Sequence, residues 1–199
     1  MAPQKCPPAP AKAIEAPPPV ASFAARARPV PVEQWDPPHC GDVGLKIARD
    51  GTWFHRGAPI RRSGLVRLFA NHLRRDEEGH VPVTPLEKAP VEVEDAPFVA
   101  VELRRENPAA PILSCRTNVE DWVAADAAHP LRFERQPDGG LKPYVKVRGD
   151  LWALLARPLL YELAHWGETQ EQDGERLFGV RSCGCFFAMA RIEEIEALS

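Results

Sequence analysis

The chain has 199 residues, 44% hydrophobic and 27% charged, which is the composition of an ordinary globular protein of one domain or two small ones. Its formal net charge of -3 excludes a generally cationic nucleic-acid coat, so any affinity for anions must come from a local cluster. No apolar run approaches the ~18 residues that span a bilayer, and the five cysteines, Cys6, Cys40, Cys115, Cys183 and Cys185, are too irregular for a disulfide framework, which points to reduced thiols and a cytoplasmic location.

Eleven of the 22 prolines fall in the first 38 residues. Such a segment lacks backbone donors and cannot build a core, so residues 1–40 read as a disordered or polyproline II tail. Its apolar runs are interrupted by proline, unlike the continuous apolar region of a secretory signal. Pro7-Pro8-Ala9-Pro10 has the form of a groove ligand, although a solvated tail is the simpler reading.

Leu45 and Ile47 alternate with polar neighbours, Asp50-Gly51 turns the chain, and Trp53-Phe54 begins the return strand. Ser63 is placed to cap a helix in which Leu65, Leu68, Phe69, His72 and Leu73 share one face. Asp76–Gly79 closes that helix and opens a loop. Strands follow near Val91–Glu94, Phe98–Leu103 and Ile112–Thr117. Pro137-Asp138-Gly139-Gly140 then turns a hairpin between Leu131–Glu134 and Tyr144–Val147. Asp150 caps a short helix carrying Leu151, Leu154 and Leu155; Pro158 opens a longer helix to about Thr169. A strand pair, Leu177–Val180 and Phe186–Ala190, precedes a helical end at Ile192–Leu198.

The two halves match weakly. Thr52–His55 aligns with Pro143–Lys146, Arg62–Phe69 with Arg157–Ala164, and Ala96–Val101 with Gly184–Met189. The expected fold is therefore α+β: two similar subdomains from an internal duplication, 41–120 and 121–199, each an antiparallel sheet with one main helix.

Arg61 and Arg62 directly precede the first helix, and Arg157 precedes its counterpart. Unpaired N–H groups at a helix start, reinforced by guanidiniums, suit phosphate or carboxylate. If both helix starts face one cleft, they would hold an anion with two charged ends, with Lys88, Arg116, Asn118 and Arg148 adding donors. The competing reading pairs these cations structurally with Glu87, Glu94, Asp95 or Asp121. Tyr144, with Trp53 and Phe54, is either a stacking surface or a core anchor. His55 is the histidine nearest the arginine pair. Glu92, Glu94 and Asp95 form an acidic strand end, suited to acid–base work or to ion pairing. Cys183-x-Cys185 offers only two metal ligands. There is no glycine-rich nucleotide fingerprint, no P-loop and no His-Glu-x-x-His helix, so no cofactor is expected.

Trp53-Phe54-His55 through Pro59-Ile60-Arg61-Arg62, Val83-Thr84-Pro85-x-Glu87-Lys88, Val93–Phe98, Arg116-Thr117-Asn118, His129-Pro130-Leu131 and Pro143-Tyr144 together carry a resemblance. The chain resembles the bacterial family known as domain of unknown function twelve-eighty-five, from about Leu45 to Met189. The resemblance implies a duplicated core whose C-terminal half is superficially pleckstrin-homology-like. It also implies an inter-half cleft for a nucleotide-like or nucleic-acid-based ligand, and a signalling role. The proline-rich tail and Ser182–Cys185 depart from the pattern. The expected function is a binding or signalling protein rather than an enzyme. The alternatives are a protein-interaction module with a protein partner in signalling, or a hydrolase using Glu94 or Asp95 with His55.

Overall fold

A computed structural model describes residues 31–196, so the Pro7–Pro10 run and the rest of residues 1–30 lie outside the described residues. Strands dominate and helices are few. A three-residue 3-10 turn at Val32–Gln34 comes first. The first six-stranded sheet contains β1 (Leu45–Ile47), β2 (Trp53–His55), β3 (Ala58–Pro59), β4 (Leu73–Asp76), β5 (Gly79–Pro82) and β6 (Val91–Val93), in the order β3-β2-β1-β6-β5-β4. Helix α1 (Ser63–Asn71) links β3 to β4.

The second six-stranded sheet is built from β7 (Phe98–Glu106), β8 (Ile112–Thr117), β9 (Trp122–Ala124), β10 (Leu131–Arg135), β11 (Leu141–Arg148) and β12 (Leu151–Leu155). Its order is β10-β11-β12-β7-β8-β9. Helix α2 (Arg157–His165) then leads to a three-stranded sheet of β13 (Glu168–Gln172), β14 (Glu175–Ser182) and β15 (Cys185–Arg191), and α3 (Ile192–Glu196) follows. Each six-stranded sheet contains one parallel pair, β1 with β6 and β12 with β7, so neither is purely antiparallel as expected.

The order three strands, nine-residue helix, three strands occurs twice, in β1–β3, α1, β4–β6 and in β10–β12, α2, β13–β15. The alignment of Ala96–Val101 with Gly184–Met189 set β7 against β15, whereas element order sets β6 against β15. Pairing also differs: β6 closes onto β1, while β13–β15 form their own sheet beside β10. Strands β7 and β8, expected with the first half up to residue 120, instead belong to the second sheet, where β7 pairs with β12 and β8 with β7.

Local pattern explains the remaining departures. Leu151–Leu155 is a strand, not a helix, because Leu151, Ala153 and Leu155 are buried at period two. Ala153 sits in a buried row across the sheet, Leu131–Val145–Ala153–Phe98. Helix α1 ends at Asn71, two residues before β4, and Asp76–Gly79 is the β4–β5 hairpin turn. Helix α2 stops at His165, so Glu168–Gln172 is free to pair as β13. Residues 31–40, assigned to the tail, pack instead. Val32 is buried, Trp35 stacks on His72, and the buried Arg74 guanidinium donates to the Val32 carbonyl at 2.6 Å and to that of Trp35. One apolar cluster runs through both halves, from Ile47 and Trp53 to Phe98 and Leu163.

Ser182–Cys185, which departs from the family pattern, is a two-residue hairpin turn with positive φ at Cys183 and Gly184. The buried Ser182 hydroxyl accepts the Leu113 N–H at 2.9 Å, and Cys183 N–H donates to the Pro111 carbonyl. The turn therefore docks the small sheet onto the start of β8.

Gly51 ends the β1–β2 turn with φ of 82°, and a Cβ there would lie 2.5 Å from Asn118 Nδ2. Gly51→Ala should cost about 1–3 kcal/mol by combining left-handed strain with a clash against a buttressed side chain. Equilibrium denaturation measures it; a variant as stable as the parent would refute this account of the turn.

Candidate functional site

The residues ahead of α1 hold an extended conformation at Arg62, φ -82° and ψ 102°, and no side chain caps the helix. The Arg62 carbonyl accepts from Leu65 and Val66, no acidic residue occupies the first turn, and the opening N–H groups stay available. This helix start faces a cavity of about 240 Å³ between the halves, lined by Gly51, Thr52, Trp53, Ile60, Arg61, Ser63, Val66, Arg67, Asn118 and Glu120. Arg61 and Arg67 reach no carboxylate among the described residues, and the buried indole N–H of Trp53 finds no acceptor. Glu120 is the acid on the wall, and it is already paired with Arg116 at 2.9 Å.

The other expected site residues are distributed differently. Arg62 is the exposed cap residue but does not line the cavity. Arg157 begins α2, exposed, and lines neither this cavity nor the larger one beside β1. The two helix starts therefore do not share this cavity. Arg116 bonds Glu102 at 2.7 Å as well as Glu120. Lys88 bonds Asp76 at 3.2 Å and helps secure the packed N-terminal segment through Asp36. Arg148 pairs with Asp121 at 3.0 Å, donates to the Ala70 carbonyl of α1 and lies over the Phe98 ring. Asn118 accepts from Val99 N–H and donates to the Gly51 carbonyl, tying the two halves across the cavity floor. His55 is exposed on β2 and borders the larger cavity.

Arg67 also lines this cavity, although it is not among the site residues expected from the sequence. The signal for it was available: Ser63, Val66 and Arg67 fall at i, i+3 and i+4, so Arg67 shares a face with the helix start. Trp53 is 1% exposed and stacked on Phe69, a core anchor rather than a stacking surface for a base. Tyr144 is buried too, and its hydroxyl donates to Asp95 at 2.8 Å.

The acidic strand end is fully engaged. Lys46 holds Glu92 and Glu94, and Glu94 also accepts the Arg49 N–H. Asp95, its side chain 6% exposed, takes Lys142 at 2.6 Å and Tyr144, with Arg49 at 3.6 Å. Burial alone would raise the Asp95 pKa; the hydrogen bonds from Lys142 and Tyr144 and the nearby cations outweigh it, so the carboxyl titrates below its ordinary value. Leu45 faces both His55 and Val91, which puts His55 two strands across the sheet and four residues along it from Asp95, roughly 16 Å away. The pair needed for the hydrolase alternative does not meet. Burial pushes the Cys115 thiol up to about 12, which leaves it inert. Among the described residues no group of three or more His, Cys, Asp or Glu could hold a metal ion, and no helix is long and apolar enough to cross a membrane.

Two family models cover most of the chain. The N-terminal domain of the proteins of unknown function DUF1285 matches residues 30–96, and the C-terminal domain matches residues 97–189. The chain belongs to the DUF1285 family. The boundary at residue 96 is where the sheets divide. A DUF1285 family protein from Silicibacter pomeroyi DSS-3, known from its crystal structure, is 42% identical over 89% of this chain and 97% of its own, with a TM-score of 0.78. Another from Shewanella baltica OS155 is 25% identical over 60% of this chain and 88% of its own, with a TM-score of 0.48. No curated protein matches.

Asp95→Asn would leave the Lys142 ammonium facing a neutral amide. The expected loss at neutral pH is about 3 kcal/mol, as for other broken buried pairs. Because the native Asp95 pKa is depressed, its contribution is fully present above the ordinary aspartate value of about 3.9 and is lost as pH falls through the native value. The parent should therefore lose stability on acidification more steeply than Asp95→Asn. Unfolding midpoints from pH 7 to about pH 2 test this, and parallel curves would contradict it.

Proposed function

We propose that this DUF1285 family member binds a small anionic ligand in the cavity between its halves, as a sensor rather than an enzyme. One observation carries the reading: the uncapped start of α1 and two unpaired guanidiniums, Arg61 and Arg67, border the same cavity at the seam. A phosphate or carboxylate there would accept from backbone N–H groups and from planar forks, in the field of the helix dipole. Trp53, whose buried indole N–H has no acceptor, lines the same cavity. The ligand class is phosphate-bearing and nucleotide-like, as the family resemblance implies.

The repeated element order supports a duplicated origin for the halves, and the second half, two sheets and a helix around one core, is the part read as pleckstrin-homology-like. A ligand at the seam touches both halves, through Thr52 and Ser63 on one side and Asn118 on the other. Its binding would favour one relative arrangement of the halves, which is how a signalling protein would transmit occupancy. The cytoplasmic placement stays with this reading on the irregular spacing of the cysteines along the sequence.

Titration calorimetry of the full chain with pyrophosphate and ADP tests the site. Charge-assisted bonds contribute roughly 1.5–3 kcal/mol each, so the Arg61→Ala/Arg67→Ala double variant should bind at least about tenfold more weakly. Arg157→Ala, outside the cavity, should bind as the parent does. Affinity untouched by the double variant, or lost equally in Arg157→Ala, would overturn the assignment.

A further inference from the structure

The larger cavity, about 380 Å³, lies on the opposite side of α1 from the anion cavity. Its walls are Leu45 of β1, Ile60 of the β3–α1 link, Leu65, Leu68 and Phe69 of α1, and Ala89 before β6. Helix α1 only partly closes over the sheet. Ala70 is its one buried residue, whereas Leu65 is 36% and Leu68 50% exposed at the cavity. The apolar face that should have sealed this helix against the sheet instead lines a space.

The polar groups on the wall say what the space accepts. Thr84 Oγ1 already accepts from Leu86 and Glu87 N–H and donates to the Glu87 carbonyl. His72 Nδ1 is bonded to the Leu68 carbonyl at 2.7 Å, and its ring is stacked on Trp35. The Cys40 thiol donates to the Gly41 carbonyl. No lysine or arginine lines the cavity, and Glu87 is its one carboxylate. A phosphate or carboxylate ligand would find no lysine or arginine here, only the His55 and His72 imidazoles beside the Glu87 carboxylate, so the charge complementarity is poorer than at Arg61 and Arg67 on the other side of the helix. Size fixes the rest. An apolar cavity of roughly 150 Å³ holds one benzene ring, and this one is about two and a half times larger, so it takes some fifteen carbon atoms.

We infer that the cavity between α1 and the first sheet is a binding site for one uncharged apolar small molecule, aromatic or aliphatic. It stands independently of the anion site and uses different residues, with Ile60 alone shared.

The full chain is titrated with N-phenyl-1-naphthylamine, a neutral probe that brightens in apolar surroundings. Saturable one-to-one enhancement is expected. Leu68→Glu changes a half-exposed position and should fold normally, a point checked by its melting temperature; it should weaken probe binding at least tenfold. Leu86→Glu, at an 83% exposed leucine outside the cavity, should change nothing. Absence of saturable binding, persistence of binding in Leu68→Glu, or equal loss in Leu86→Glu would each overturn the inference. Pyrophosphate binding measured on the same Leu68→Glu sample separates a failure of this site from a failure of the anion site.

Discussion

Polar side chains close the seam between the two six-stranded sheets, and the placement of everything else follows from them. Asp95, at the end of the first half, is gripped by Lys142 and Tyr144 of the second. Asn118 reaches back to Gly51, and Arg148 reaches back to the last turn of α1. Each contact satisfies a group that would otherwise be desolvated without a partner, so their geometry is far more specific than that of the apolar cluster beneath. Gly51 is part of the same constraint, because only a residue without a side chain lets Asn118 come this close. Arg148 holds the end of α1, and Asn118 holds the Gly51 turn that lines one cavity together with the helix start.

Much of this was legible in the sequence wherever local pattern and tertiary demand agreed. The Asp50-Gly51 and Asp138-Gly139 turns, the Pro158 helix start and the β14–β15 pair are all dictated by nearby residues. The reading broke where one composition fits two periods. Leu151, Leu154 and Leu155 satisfy a helix, yet the buried slot between β11 and β7 selects Leu151, Ala153 and Leu155. Residues 31–40 looked like tail because they continue a proline-rich stretch and carry Pro31, Pro37 and Pro38 themselves. What holds them is Arg74, some forty residues away, whose capture of two backbone carbonyls has no local signature.

The candidate site shows the same division. The arginine pair at the start of α1 was visible because a helix start is a local event. Its convergence with Arg157 rested on pseudo-symmetry, and the separate third sheet breaks that symmetry. Arg116, Lys88 and Arg148 are occupied by acids, as in the competing ion-pair reading, but of the acids named there only Asp121 holds one of them; Glu102 and Asp76 hold the others. The family-like motifs Val93–Phe98, Arg116–Asn118 and Pro143-Tyr144 turn out to contain the residues of the seam. Their spacing in the chain says nothing of that until the sheets are assembled.

The two parallel ladders impose a schedule on the chain as it is made. The first sheet needs nothing beyond Val93: once β6 emerges it can lie against β1 and the whole set of six strands can close. The second sheet cannot do this, because β7 must wait for β12, whose Ala153 faces Phe98. Until then β7 offers an open edge of apolar residues, Phe98, Val99 and Ala100, beside a finished neighbour. The completed first half, held at the seam by contacts that arrive only with Asn118 and Lys142, therefore waits as a template for the late assembly of the second.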